Sequence, residues 1–318
     1  MASPYPERAA ARDRWISGLR PPRARVDPWQ PSAAFVEDER TASGTLEPVA
    51  TVFLTNRECP WRCLMCDLWK HTLAATAPAG AIVKQIDIAL QRLPAAQSLK
   101  LYNSGSFFDP RAIRRTEYAA IAGRIDTFKR VIVESHPKFI GESVLRFRDL
   151  LAGRLEVALG LETAHPRVLA KLNKRMTLAQ FQQAAGYLRR HDIDLRVFIL
   201  VKPPFLEEQK ALFWAQRSID FAFDSGASVV SLIPTRLGNG ALEELAAQGQ
   251  FAPPKLATLE TAVAYGLGLQ RGRTFADTWD WEKWPECPQC LPARVARLQE
   301  MNRQQRVPPL IKCAACRS

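Results

Sequence analysis

Short apolar runs alternate with amphipathic stretches along most of the 318-residue chain. Runs rich in β-branched and aliphatic residues predict six strands, at 50–54, 98–102, 130–134, 155–161, 194–200 and 228–233. Between the strands, apolar positions recur with helical spacing, most clearly over 177–191, 207–224 and 256–269. In the first of these, Thr177 is a candidate N-cap. The alternation predicts a parallel sheet in an α/β fold, specifically a partial (β/α)6 barrel.

Three regions differ in composition. Residues 1–48 are rich in Pro, Arg and Ala and predict a basic N-terminal extension, wrapped on the core or partly disordered. We assign residues 49–277 to the barrel and residues 278–318 to a small Cys-rich metal-binding module. In parallel α/β folds the functional site lies at the C-terminal ends of the strands. That end of the predicted sheet carries the loop after Leu54, Asn103–Ser106, Glu134, Glu162 and Lys202.

Composition and charge narrow the classes of function. Hydrophobic residues make up 47% and charged residues 24%, the balance of an ordinary globular protein. No apolar run approaches the roughly 20 residues of a membrane span, and the N-terminus shows no signal-peptide core, so we expect a cytoplasmic protein without a membrane partner. The formal net charge of +12, concentrated in part at both ends, favours a polyanionic partner such as nucleic acid. A generally basic proteome explains the same charge without any partner.

Three of the seven cysteines, Cys59, Cys63 and Cys66, follow the first predicted strand with the spacing C-x3-C-x2-C. Iron–sulfur cubanes normally take four thiolate ligands, so three leave one iron open to a chelating cofactor. The alternatives are reactive thiols or a zinc site completed by His71, although zinc usually takes paired C-x2-C knuckles.

The other four cysteines form two C-x2-C pairs in the tail, Cys287 with Cys290 and Cys313 with Cys316. This spacing is close to that of zinc ribbons, but a second iron–sulfur cluster fits the same thiolates. Just before the first pair lie Trp279, Trp281 and Trp284, which can stack on bases or form the core that docks a small module.

The cysteine triplet and its strand context resemble the radical S-adenosylmethionine (SAM) superfamily over roughly residues 48–235. The resemblance implies a [4Fe–4S] cluster on the triplet, SAM on its open iron, and cleavage of SAM to a 5′-deoxyadenosyl radical. It also implies an electron donor such as flavodoxin or ferredoxin. Met65 stands where the superfamily usually has an aromatic residue near the adenine. The glycine-rich segment that contacts the methionine end of SAM corresponds to Asn103, Ser104, Gly105 and Ser106, without the usual double glycine.

Two further segments resemble one branch of this superfamily. Gly160–His165 is similar to the branch of the Elongator catalytic subunit and the methylthiotransferases. This resemblance places Glu162 at the open C-terminal end of the barrel strands, which we call the mouth. Phe198–Phe205, with its Lys-Pro-Pro-Phe stretch, resembles the archaeosine synthase radical SAM subunits and their bacterial relatives. The resemblance implies an enzyme that modifies a base in RNA, chiefly transfer RNA, as a lyase or transferase.

The candidate catalytic residues are therefore Glu162 and Lys202, and Glu134 and Glu162 are candidates for holding the ribose or the amino group of SAM. For each carboxylate the alternative is a solvated or ion-paired residue, and for Lys202 it is a strand-end lysine bonded to a neighbouring carboxylate. Two other functions stay open. One is a radical SAM maturase of a peptide or small metabolite, with an auxiliary cluster in the tail. The other is a non-catalytic, metal-containing RNA-binding protein.

Overall fold

One curled sheet of eight strands organises the computed structural model, which describes residues 5–284 and 286–316. The strands follow one another in chain order: β1 Ala33–Arg40, β2 Leu46–Phe53, β3 Ser98–Tyr102, β4 Arg130–Ser135, β5 Arg154–Glu162, β6 Asp194–Val201, β7 Val229–Pro234 and β8 Arg273–Ala276. Strand β1 is antiparallel to β2, and every later neighbouring pair is parallel. The six predicted strands are confirmed as β2 to β7, and the predicted partial barrel is confirmed.

The described residues form ten α-helices, and most of them connect consecutive parallel strands across the outer face of the sheet. The helices are α1 Ala9–Gly18, α2 Ala81–Arg92, α3 Tyr118–Arg124, α4 Glu142–Arg148, α5 Pro166–Lys171, α6 Leu178–Arg190, α7 Glu208–Asp224, α8 Ala241–Ala247, α9 Leu256–Gly268 and α10 Leu291–Gln304. Thr177 caps α6 as predicted: its hydroxyl accepts from the Gln180 N–H, and the Gln180 side chain accepts from the Thr177 N–H. No helix within the described residues is long and apolar enough to cross a membrane.

The predicted N-terminal extension contains two ordered elements, α1 and β1. Strand β1 was missed because it carries charged side chains where an amphipathic strand would carry apolar ones. Glu39 is buried and pairs with Lys100 at 2.7 Å and with Arg196 at 2.5 Å. Arg196 also bonds the fully buried Glu156 at 2.6 Å. Only the tertiary fold supplies these partners, so the charged second half of the strand, after the apolar residues 33–36, gives no sign of a strand in the sequence.

The described part of the tail is packed into the main core through α10. Its residues Leu291, Val295, Leu298 and Met301 are buried against the same apolar cluster as the strands. The helix contacts both β1 and β8, the two edges of the sheet. Together with the ion pair between Arg273 and Glu39 at 3.5 Å, this helix covers the seam where the curled sheet does not close.

Candidate active site

The three-cysteine loop lies between β2 and α2 and is fixed by hydrogen bonds from several elements. The Leu64 N–H donates to the Leu172 carbonyl at 2.9 Å, and the Leu64 carbonyl accepts from the Asn239 amide at 2.7 Å. The Asn173 amide donates to the Arg62 carbonyl at 2.8 Å. Residues from the α5–α6 and β7–α8 connections therefore hold the loop at the C-terminal end of the sheet.

The N-terminal segment fastens the same loop through Glu58. This carboxylate, directly before the first cysteine, pairs with Arg20 at 2.7 Å, Arg23 at 2.6 Å and Arg62 at 3.0 Å. The Arg20 guanidinium also lies over the ring of Trp69, 4.6 Å from its centroid. Arg20 and Arg23, which contribute to the positive charge of the N-terminal region, thus have a partner in the cysteine loop.

The sulfurs of Cys59, Cys63 and Cys66 lie below the surface, although each residue is partly exposed. Burial raises the pKa of each thiol to about 12. Backbone N–H groups of Trp61 and Leu68 donate to the sulfurs of Cys59 and Cys66 and oppose this shift. Neutral buried thiols become thiolate ligands only when a cation offsets their charge, which fits a metal site better than reactive surface thiols.

A buried polar turn faces the loop from the end of β3. Glu134 accepts from the Asn103 N–H at 2.6 Å and the Gly105 N–H at 3.3 Å. Burial raises the pKa of Glu134, and these backbone N–H groups oppose the rise. A Cβ on Gly105 would lie 3.4 Å from the Cβ of Cys59, so the turn and the cysteine loop are in contact.

The side chain of Asn103 is fully buried, and both its Nδ2 and its Oδ1 lack a hydrogen-bond partner. A buried amide without partners costs stability, and such groups usually await a ligand or water. One donor and one acceptor beside the cysteine loop suit the amino and carboxylate groups of SAM. Ser104 adopts a left-handed φ of 53°, and the Ser106 hydroxyl accepts from the His136 N–H at 2.9 Å, so both shape the turn.

Glu162 ends β5 at an irregularity in its pairing with β6 and has a φ of 67°. Its carboxylate is buried and bonds the Lys174 ammonium at 2.6 Å. Burial lowers the pKa of Lys174, but Glu162 and the nearby cysteines outweigh it and raise that pKa. A Cβ at Gly160 would overlap both charged groups, so only glycine leaves room for this pair.

Lys174 was missed because nothing in its local sequence separates it from a surface lysine. It sits between Asn173 and Arg175, which both have left-handed backbone angles, φ 57° and 59°. This turn directs the lysine inward, and its carbonyl bonds His136 Nε2 at 3.0 Å. Paired left-handed residues are visible only in the structure.

The Lys202 ammonium is held in place by two backbone carbonyls and one carboxylate. Its ammonium donates to the carbonyls of Ala252 at 2.9 Å and Pro253 at 3.2 Å, and it pairs with Glu208 at 3.2 Å. These contacts correspond to the strand-end alternative, and its catalytic role stays a prediction. Met65 packs among apolar side chains of α5, α8 and β6, and its predicted contact with adenine is likewise untested.

The four tail cysteines converge on one point. Their sulfurs all lie within 4.8 Å of one another, with 4.0 Å between Cys287 and Cys313 and 3.6 Å between Cys290 and Cys316. Among the described residues this is the only set of three or more Cys, His, Asp or Glu side chains gathered so tightly. The first pair directly precedes α10. Of the three tryptophans, Trp281 and Trp284 pack on the main core, and Trp279 is 53% exposed.

A curled parallel sheet with a three-cysteine loop after its first parallel strand has the architecture of the radical SAM superfamily, and the predicted resemblance to that superfamily is confirmed. The chain is 27% identical to archaeosine synthase subunit beta of Methanosarcina acetivorans over 241 residues, covering 71% of this chain and 69% of the relative. It is 27% identical to archaeosine synthase subunit beta of Thermococcus kodakarensis over 204 residues, covering 61% and 63%. An uncharacterized protein of Methanocaldococcus jannaschii is 26% identical over 243 residues, covering 71% and 67%.

The chain thus matches about two thirds of the length of these relatives. No protein-family model matches it. Solved structures that align with part of the chain include Elp3 of Methanocaldococcus infernus, with a TM-score of 0.49 and 14% identity over 60% of this chain and 51% of that one. Another is the radical SAM methyltransferase TsrM of Kitasatospora setae, with a TM-score of 0.46 and 19% identity over 62% and 39%.

Proposed function

We propose that this chain is a radical SAM enzyme that modifies a base in folded RNA, chiefly transfer RNA. One observation carries the enzymatic part. The three loop cysteines meet a turn in which the buried Asn103 amide has no protein partner. A [4Fe–4S] cluster on Cys59, Cys63 and Cys66, when bound with SAM, would supply one-electron cleavage of SAM to a 5′-deoxyadenosyl radical.

The chain's own groups then bind, orient and exclude water. The Asn103 side chain offers one donor and one acceptor to the methionine end of SAM, while Glu134 fixes the turn by holding two of its backbone N–H groups. Lys174 occupies Oε1 of Glu162, so the second carboxylate oxygen is the one left to accept from a ligand. We assign Glu162 to the ribose or the substrate, and Lys202 to holding the 252–253 segment beside them.

The RNA assignment rests on charge and on the names of the relatives. The net charge of +12 favours a polyanion, and two relatives are named archaeosine synthase subunit beta. A base must leave its stack to reach a buried radical, which costs a few kcal/mol and is cheapest in loops. The particular base and the atom attacked follow from none of these features.

We assign a single zinc ion to the tail. With Zn–S distances of about 2.3 Å, the edge of a tetrahedral thiolate site is about 3.8 Å. The sulfur separations of 3.6 and 4.0 Å match that edge. A cubane spreads its four cysteine ligands around four irons, so its ligand sulfurs stand farther apart than those of one ion. The tail geometry thus favours the RNA enzyme over a maturase that needs an auxiliary cluster.

Metal analysis of a variant with Cys59→Ala, Cys63→Ala and Cys66→Ala tests the tail without interference from the loop. About one zinc per chain and no iron supports the assignment. About four irons per chain would instead support an auxiliary cluster in the tail. If neither zinc nor iron were present at a stoichiometric level, the tail would not be a metal site.

The RNA assignment is tested by anaerobic incubation of the reconstituted protein with SAM, a reductant and total cellular RNA, followed by mass spectrometry of nucleosides. We expect one nucleoside of transfer RNA to change. In a separate binding assay, the affinity for RNA should fall steeply when the salt concentration is raised from about 50 to about 200 mM. Turnover on a peptide or metabolite without any change in RNA would contradict the assignment.

A further inference from the structure

A cavity of about 420 Å³ opens beside the cysteine loop, between α6 and the segment that follows β4. We call it the Trp61 groove. Its walls are formed by Trp61, His136, Pro137, Lys138, Ile140, Arg175, Met176, Gln180, Gln183, Ala184, Tyr187 and Arg190. The α6 residues among them fall at helical spacing, so one face of that helix makes a complete wall. None of the mouth residues Asn103, Gly105, Glu134, Glu162 and Lys202 lines this groove.

The groove is positively charged. It has three permanent cations, Lys138, Arg175 and Arg190, and its lining contains no carboxylate. Arg175 is paired with Asp13 at 2.7 Å, and Lys138 and Arg190 form no ion pair with any described residue. His136 adds no charge, because burial and the neighbouring Lys174 lower its pKa to about 3. An acidic surface placed here would meet two cations that form no ion pair with a carboxylate of the described residues.

Trp61 joins this groove to the cysteine loop. It lies in the chain between Cys59 and Cys63 and lines the groove. Its ring stacks on His136 with 3.9 Å between centroids and 12° between planes. The groove wall therefore includes a residue of the cysteine loop, two positions from Cys59 and two from Cys63.

We propose that the Trp61 groove is the docking surface for an acidic one-electron carrier protein, an inference that rests on the proposed radical SAM function. That function needs one electron per SAM cleaved: the carrier is oxidised by one electron and the cluster is reduced by one, with no proton taken up by the chain. An RNA strand would also be drawn to the charge. We favour the electron carrier because the groove adjoins Cys59 and shares no residue with the mouth, where a base must enter.

The test compares two reductants of the same reconstituted protein. A variant with Lys138→Ala and Arg190→Ala removes the two unpaired cations, and Arg217→Ala, an exposed arginine on α7, is the matched control. With a recombinant bacterial flavodoxin in its fully reduced form, we expect the double variant to be reduced about tenfold more slowly at low salt, since steering by surface charge spans roughly 10–1000-fold. With dithionite, which needs no docking, SAM cleavage should be unchanged.

Binding of the same flavodoxin, measured by fluorescence anisotropy at two salt concentrations, gives a readout independent of activity. The double variant should bind more weakly and lose most of its salt dependence, whereas Arg217→Ala should match the wild type. Unchanged flavodoxin binding and reduction in the double variant would overturn the inference, as would a loss confined to RNA binding. Failure of dithionite to support SAM cleavage by the wild type would instead refute the proposed function.

Discussion

Lys174 and Glu162 form a buried ion pair at the mouth, with a separation of 2.6 Å and little exposure of either side chain. Removing one member leaves a buried charge without its partner, which typically costs 3–5 kcal/mol. We therefore expect Lys174→Met to lower the free energy of unfolding by about this amount and to weaken SAM binding. Urea denaturation monitored by circular dichroism measures the first effect, and equilibrium dialysis with SAM measures the second.

The double variant Lys174→Met with Glu162→Gln is the control for that experiment, because it removes both charges. Much of the lost stability should return, since no uncompensated charge remains. Glu162→Gln alone completes the cycle. If the double variant were destabilised by the sum of the two single effects, the pair would have no energetic coupling.

At the scale of single residues, candidate residues marked by their spacing in the sequence could be predicted, whereas side chains whose position depends on tertiary contacts could not. The grouping of the four tail cysteines and the strand-end positions of Glu134 and Glu162 were predictable from the sequence, and the roles of these residues and of the loop cysteines stay predictions. Lys174 was not predictable, because a left-handed turn directs it inward, and the Glu208 partner of Lys202 was not identifiable by name. A sequence pattern marks where a side chain stands along the chain, but which partner it meets depends on how the chain folds.

At the scale of elements, the polar edge strand β8 shows how α10 completes the sheet. The Asn302 side chain bonds the N–H and the carbonyl of Ala276, at 2.7 and 2.8 Å. The Gln305 side chain bonds the N–H and the carbonyl of Thr274, at 2.8 and 2.9 Å. Two amide side chains thus replace a neighbouring strand at an edge that would otherwise be open to pairing with another chain.

A variant with Asn302→Leu and Gln305→Leu should leave these four backbone groups without partners. Each unpaired group costs about 1–3 kcal/mol when it stays buried, so we expect a loss of roughly 4 kcal/mol and concentration-dependent self-association. Gln304→Ala, one position away on the exposed side of α10, is the matched control. Analytical ultracentrifugation and urea denaturation follow the two effects, and a monomeric, fully stable double variant would contradict this function of α10.

Strands with a clear apolar pattern could be predicted from the sequence, and strands without one could not. Strands β2 to β7 have apolar runs that the parallel sheet buries on both faces, and these were located to within a few residues. Strand β1 is charged because its inward side chains enter an ion network, and β8 has only four residues. Neither carries a pattern that separates a strand from a polar connection.

At the scale of the whole molecule, the tail ion would fasten the helix that covers the seam. The two cysteine pairs lie on either side of α10, so one tetrahedral ion ties both ends of that segment together. The effect resembles that of a cross-link around a short loop, which typically stabilises by about 3 kcal/mol. Loss of the ion should loosen α10 from β1 and β8.

We therefore expect chelation of the tail metal to lower the unfolding temperature by roughly 5–10 °C, given a few degrees per kcal/mol for a chain of this size. Differential scanning calorimetry of the loop variant with Cys59→Ala, Cys63→Ala and Cys66→Ala, with and without chelator, measures this directly. A variant that also carries Cys287→Ser and Cys290→Ser should show no further shift. An unfolding temperature that is insensitive to the chelator would show that the ion does not hold the seam.

The central claim is that Cys59, Cys63 and Cys66 hold a cluster that cleaves SAM at this mouth. The most direct measurement is 5′-deoxyadenosine formed from SAM with dithionite under anaerobic conditions, together with the iron content of each protein. The wild type should bind about four irons and form 5′-deoxyadenosine, and Cys63→Ala should lose the product while keeping its fold by circular dichroism. A variant with Cys287→Ala and Cys290→Ala, which leaves the loop intact, should retain SAM cleavage. Formation of 5′-deoxyadenosine by a variant that lacks all three loop cysteines would contradict the account.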